Sequence, residues 1–278
     1  MKKSLITIAI IMAFLVGLSV LLYPYVADYY NARNQSKAVA SYHNAVKNLD
    51  EQNLTQLWEA AKKYNENLRN KQDRYRPTTE ESTEYNNLLN ISTVGIMGTL
   101  EIEKINVTLP IYHGTTEGVL QIGIGHFEGT SLPVGGTGTH AVITGHRGLP
   151  SSTLLTNLDR METGDTFALH ILDETLMYQV DNIQIAQPED LSALTIDPEK
   201  DYCTLITCTP YGINTHRMLV RGKRINAPEN TEPPPPPHPI TPEATKITPT
   251  IPILIIIAPI ILITATVKLI RHRRKIRN

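Results

Sequence analysis

Two uncharged apolar runs near the ends of the chain restrict every fold it can adopt. The first extends from Leu5 to Tyr23, after Lys2 and Lys3; the second extends from Ile247 to Val267, broken only by Pro249, Pro252 and Pro259. Each is about the length a helix needs to cross a bilayer. A cleaved leader also opens with basic residues and an apolar stretch. Here Tyr23-Pro24-Tyr25 follows in place of an Ala-x-Ala-like site, which favours a retained anchor. Arg271, Arg273, Arg274, Lys275 and Arg277 follow the second run. Basic flanks stay in the cytoplasm. Both termini are therefore expected inside and residues 28–246 outside, in a multi-pass protein of the cell membrane with its main domain extracellular.

The expected organisation has five parts. Residues 1–27 form an N-terminal transmembrane anchor and 28–90 a helical region. Residues 91–226 form a β-rich domain, 227–246 a Pro-rich linker, and 247–278 a C-terminal anchor with a basic tail. Pro233 to Pro237 make the linker an extended, semi-rigid spacer. In the helical region Ala38, Tyr42, Ala45, Leu49, Leu54, Leu57, Ala61, Tyr64 and Leu68 recur at helical spacing. From Gly95 the period shifts toward two. Short β-type runs near 99–112, 140–144, 166–171, 175–185, 202–208 and 215–224 are separated by Gly, Pro and Asp turns, a pattern that predicts a mostly β, closed barrel. The formal charge of −1, with basic residues gathered only in the tail, argues against a nucleic-acid partner.

Two cysteines are too few for a disulfide framework. Cys203 and Cys208 share one β-type run, so an extended backbone holds them roughly 16 Å apart. A disulfide needs Cα atoms within about 7 Å, and an odd spacing sends the two side chains to opposite faces. Both are expected as free thiols. Cys203 sits mid-run beside Leu205 and reads as a small buried thiol. Cys208 ends its run just before Thr209-Pro210-Tyr211-Gly212, where a side chain is held firmly yet open to solvent.

His146 and Arg217 occupy comparable positions. His146 follows the β-type run Thr139 to Thr144 and lies between Gly145 and Arg147-Gly148, where glycines let the backbone turn. His140, at the other end of that run, points to the opposite rim. Arg217 begins a β-type run nine residues after Cys208; if the two runs are neighbours, it returns to the same rim, while His216 faces away. Each residue also has an ordinary explanation: a structural cysteine, a solvated loop histidine, an arginine paired with a carboxylate. Together they suit acyl transfer through a thioester. A cation stabilises the attacking thiolate, a histidine moves the proton of the amine, and a guanidinium donates to the oxygen as charge develops.

Thr144-Gly145-His146-Arg147-Gly148-Leu149-Pro150, Thr204 to Gly212 and Thr215-His216-Arg217 resemble the signature segments of class C, pilus-assembling sortases. So do Pro110 to Gly114 and Gly125 to Pro133, and the resemblance spans residues 95–225 in order. It implies an eight-stranded β-barrel with N-terminal helices and two transmembrane helices. The implied enzyme is a cysteine transpeptidase that cleaves a Leu-Pro-x-Thr-Gly-like sorting signal between Thr and Gly. Cys208 would be the nucleophile, His146 the general acid/base and Arg217 the oxyanion or substrate-binding cation. The partners would be the membrane, the sorting signals of pilins or surface proteins, and a pilin lysine as acyl acceptor, with no cofactor. The apolar C-terminal tail also resembles a sorting signal, but Lys246 to Ile251 offers no such pentapeptide, so an anchor is expected.

One stretch departs from the pattern. Many class C members carry a lid with Asp-Pro and an aromatic residue, whereas Lys71 to Leu89 contains Gln72-Asp73-Arg74-Tyr75-Arg76-Pro77. The site is expected either to lack the usual latch or to use Asp73 and Tyr75 differently. Two other functions compete. A housekeeping-type sortase would attach proteins to cell-wall peptide amines, and the C-terminal anchor and the Thr-Pro-Tyr-Gly turn argue against it. A non-catalytic surface-binding protein would have no need of Cys208.

Overall fold

The computed structural model describes residues 2–91 and 95–226; the expected linker and C-terminal anchor, 227–246 and 247–278, lie outside the described residues. The first helix, α1 (Lys2–Lys47), begins with an apolar segment that belongs to one structural unit, and from Pro24 onward it belongs to a second. The apolar segment presents Ile6, Phe14 and Leu21 outward. α1 is the one helix among the described residues long and apolar enough to cross a membrane, with a mean hydropathy of 2.6 in its most apolar window. A second spanning helix is not present among these residues. The expected boundary at residue 27, between the anchor and the helical region, falls within α1. Pro24 lies inside a helix of 46 residues. Its missing N–H and ring clash cost on the order of 3 kcal/mol, too little to end so long a helix.

The second unit begins with three helical stretches. Tyr42, near the end of α1, donates from its hydroxyl to the Met97 carbonyl at 3.0 Å and accepts from the Leu172 N–H at 2.7 Å. α2 (Glu51–Arg69) starts where the Asp50 carboxylate accepts from the Asn53 N–H, and its acidic first and basic last turns suit the helix dipole. It buries Trp58, Ala61, Asn65 and Leu68, one stripe of an amphipathic helix. α3 (Thr79–Asn87) opens with a reciprocal cap between Thr78 and Glu81. Tyr85 and the following Leu89 are sealed into the main core.

That core fills a closed barrel. Its strands are β1 (Ile96–Ile102), β2 (Val107–His113), β3 (Ile124–His126), β4 (Thr139–Thr144), β5 (Thr166–Ile171), β6 (Glu174–Ala186), β7 (Asp201–Thr209) and β8 (His216–Ile225). A short helix, α4 (Glu117–Ile122), lies between β2 and β3. The order around the barrel is β1-β2-β3-β4-β7-β8-β6-β5. β2 with β3 and β4 with β7 pair in parallel, and the remaining neighbours are antiparallel. The β-type run expected over 99–112 is two strands, divided by a 3-10 turn over Glu103–Ile105 and Asn106 in the left-handed region. β3 went unread because three residues are too few to show alternation. Inside, Leu100, Ile102, Leu205 and Val220 pack with the stacked rings of Phe167 and Tyr178, 5.5 Å apart.

Candidate active site

The period of two along β7 sorts its side chains. Cys203 and Leu205 join the barrel core, while Ile206 packs in a separate cluster with Val142 and Leu219. Cys208 is two residues beyond Ile206, on that same outer face. Both cysteines are free thiols, Cys203 buried and Cys208 half-buried. Burial pushes the Cys203 thiol far up, which leaves it inert. The functional surface is therefore the outside of the β4–β7–β8 sheet as well as the barrel rim.

Strand register brings Arg217 to the cysteine: Cys208 on β7 stands directly opposite Arg217 on β8, and Ile206 opposite Leu219. The segment between β6 and β7 folds over this face, where Leu191 and Leu194 pack with Val142, Ile206, Leu219 and Phe127. Together they enclose a cavity of about 340 Å³ lined by Cys208, His146 and Arg217, with Thr115, Leu120, Phe127, Gln187 and Asp190 also at its wall. This is the size of a small-ligand or peptide site. The three expected side chains converge on one cavity.

Past the end of β4, the His146 loop is pinned to β7. Gly145 donates to the Ile206 carbonyl at 3.0 Å, and its own carbonyl accepts from the Thr207 hydroxyl at 2.8 Å. A side chain at residue 145 would place Cβ 2.7 Å from Ile124. The His146 Nε2 is shielded from solvent and has no hydrogen-bond partner among the described residues. The Glu117 carboxylate, on α4, is 3.6 Å away. The Gln121 amide donates to the same carboxylate oxygen at 2.6 Å; this bond first, and the histidine charge second, keep the Glu117 carboxyl below its ordinary range. This ring nitrogen, within ion-pair range of Glu117 but without a hydrogen bond among the described residues, is placed to exchange a proton with a substrate.

Among the described residues Arg217 has no carboxylate partner within ion-pair range. Among the described residues arginine ion pairs join Arg147 to Asp159, Arg221 to Asp181 and Arg224 to Asp201. The Arg217 Nη1 donates to the carbonyls of Asn214 and His216, at 3.3 and 3.2 Å, which holds its stem while other donors remain available. His216 is not in the cavity lining, and its Nε2 lies 3.1 Å from the Gln187 side-chain amide. His140, at the far end of β4, is buried between the Thr204 hydroxyl, 2.7 Å, and the Thr195 carbonyl, 3.0 Å. Burial lowers it to about 4 and keeps it out of the chemistry.

The Lys71 to Leu89 stretch is partly structural, since Tyr85 and Leu89 belong to the core. Tyr75 reaches the cavity wall: its ring stacks on Phe127 at 5.8 Å, with 17° between planes. Arg74 donates to the Tyr75 hydroxyl at 2.7 Å and to the Leu194 carbonyl at 3.0 Å. Asp73 contributes its backbone carbonyl, which accepts from the Arg76 N–H at 3.0 Å. At Gly129 (φ +89), a Cβ would come within 2.3 Å of the Arg74 carbonyl, so that glycine lets the stretch lie down. Glu117, Phe127, Leu191 and Leu194 were not expected from the sequence. Phe127 lies in the Gly125 to Pro133 segment, where it carried no assigned role, and the other three follow no period.

Comparison with known proteins points to one family. Residues 100–225 match the family described as the sortase domain. Sortase D of Bacillus subtilis is 32% identical over 131 residues, covering 46% of this chain and 63% of that relative. The chain spans smaller shares of the Streptomyces coelicolor and Bacillus anthracis sortases that it also matches. Among solved structures, sortase C1 of Streptococcus agalactiae is 47% identical with a TM-score of 0.67, covering 69% of this chain and 100% of that one. Sortase C of Streptococcus pneumoniae, whose structure was described as informing catalysis and pilin substrate specificity, is 41% identical with a TM-score of 0.60, covering 69% and 99%. Nearly half the residues are shared across the whole of a solved sortase with the same fold, and the chain belongs to the sortase family of cysteine transpeptidases.

Proposed function

We propose that the chain is a membrane-anchored transpeptidase acting outside the cell, which cleaves a Leu-Pro-x-Thr-Gly-like sorting signal between Thr and Gly and transfers the Thr carbonyl to a pilin lysine. The observation that carries this reading is the pairing of Cys208 with Arg217 across β7 and β8, with His146 in the same cavity. In the first half-reaction the Cys208 thiolate attacks the Thr carbonyl carbon. The developing oxyanion accepts hydrogen bonds from Arg217. The C–N bond to Gly breaks, and the His146 imidazolium gives its proton to the departing amine. In the second half the lysine amine attacks the thioester and loses a proton to His146. The C–S bond then breaks, and the thiolate is restored with an isopeptide bond formed. The apolar lining from Leu120, Phe127, Leu191 and Leu194 suits the Leu-Pro end of such a signal.

The pilin acceptor is favoured by structural neighbours that are sortases C, one of them described with pilin substrate specificity. The sequence relative called Sortase D favours the second reading, a sortase that attaches proteins to a cell-wall amine. Incubating the full chain with candidate pilins, with a cell-wall peptide amine as competitor, separates the two. The first reading gives Lys-linked ladders on mass spectrometry, and the second gives only peptide adducts. Cys208→Ala must abolish both products. Polymer or adduct formation by that variant would defeat the assignment of Cys208, and no product from the unaltered chain would favour a non-catalytic binding protein.

A further inference from the structure

The residue after His146 is charged yet hidden: the Arg147 side chain is 10% exposed. It pairs with Asp159 of the 3-10 turn Leu158–Arg160 on one side. On the other, its Nη1 donates to the Thr209 hydroxyl at 3.4 Å. Its guanidinium carbon also lies 5.9 Å from the centre of the Tyr211 ring. That ring lies against Gly148 (φ +74), where a Cβ would come within 2.9 Å. The Arg147 Nε is buried and has no partner among the described residues. An ion pair with an exposed carboxylate contributes little to stability, and the unsatisfied Nε detracts further, whereas the arrangement can specify geometry.

The place of these contacts gives them meaning. β4 and β7 pair in parallel up to Thr144 and Ile206, and Gly145 makes the last backbone rung. Beyond it the two chains separate into different loops, one starting with His146 and the other following Cys208. Arg147 crosses this gap: it is one residue past His146, and Thr209 is one residue past Cys208. The planar fork serves Thr209 through Nη1 and Asp159 through Nη2, two separated nitrogens in a fixed geometry that the single nitrogen of a lysine does not reproduce.

We propose that Arg147 is a positioning residue, a clasp that replaces the ended strand ladder and holds the imidazole of His146 at its working place beside the sulfur of Cys208. This rests on the proposed roles of Cys208 and His146. The test uses the full chain in detergent and cleavage of a Leu-Pro-x-Thr-Gly peptide. R147K keeps the charge and its pairing with Asp159 but loses the fork, and T209V removes only the acceptor next to Cys208. Since a misplacement of 1 Å can cost about 100-fold, R147K is expected to lower kcat about 10-fold or more and T209V about 3-fold, with KM within about twofold of wild type. The double variant should be no slower than R147K alone, because both changes open the same link. R221K, which disturbs the forked Arg221–Asp181 pair elsewhere on the barrel, serves as the control with unchanged kcat. If R147K does not fold, T209V decides alone. A folded T209V with kcat within twofold of wild type, or a loss confined to KM, overturns the clasp. Cleavage that survives in C208A would instead overturn the underlying reading.

Discussion

Two histidines sealed in the domain make its stability depend on pH in a calculable way. His126 is fully buried, with Nδ1 2.9 Å from the Tyr85 hydroxyl and Nε2 2.8 Å from the Ser131 carbonyl. His140 is 1% exposed, between Thr204 and Thr195. Burial is the largest cause in both, and each is lowered to about 4. In the unfolded chain both titrate near 6.5. Between those values the unfolded state takes up protons that the native state refuses. The contribution is therefore complete above about pH 6.5 and is lost as pH falls toward 4. Each histidine accounts for on the order of 3 kcal/mol across the window, and by pH 5 the two together remove about 4 kcal/mol. That is a large share of the roughly 5–15 kcal/mol that holds a domain together. Desolvation shifts His43 in the same direction, whereas burial raises Asp201 and opposes the trend. Urea unfolding at pH 7, 6 and 5 measures the effect. The signal is the fluorescence of the single tryptophan, Trp58, whose indole donates to Asp173 at 2.9 Å. The midpoint should fall steadily, and His140→Gln should remove roughly half of the slope. A midpoint unchanged from pH 7 to 5 would refute the account of these groups as buried and neutral.

Two further outcomes concern the cavity. Arg217→Ala should slow peptide cleavage about 100- to 1,000-fold through kcat, the usual loss of an oxyanion donor, with partial recovery in Arg217→Lys; an effect on KM alone would assign it to binding. Tyr75→Ala removes an aromatic pair worth about 0.5–1.5 kcal/mol from behind Phe127, so KM for a sorting peptide should rise roughly 2- to 10-fold. A faster alkylation of Cys208 in that variant, with KM unchanged, would make Tyr75 a cover over the thiol rather than a buttress of the wall.

Parts of this protein could be read directly from the chain. The opposite fates of Cys203 and Cys208 follow from the period of two along a strand, and the return of Arg217 follows from a turn too short to lead elsewhere. Helix caps at Asp50 and Thr78 are equally local. That α1 runs on through Pro24 is less legible, because proline usually marks a break although its cost is finite. β3 was missed for its length. Tyr75 was in view as a departure from the family pattern, but its stacking on Phe127 depends on how 71–77 lies across the β3–β4 connection.

By itself the amino-acid order determined the chemistry available: a thiol at a strand end, an imidazole between glycines, a guanidinium one turn later, and an apolar segment long enough for a membrane. Only the tertiary structure decided how these act together. The parallel pairing of β4 with β7 joins residues 62 positions apart. It sets His146 beside the Cys208 strand, Glu117 against the ring, Arg147 across the gap, and the β6–β7 segment as a roof. Such contacts leave no periodic trace, because hydrogen bonding and burial between distant segments depend on closure of the barrel rather than on neighbours in the chain.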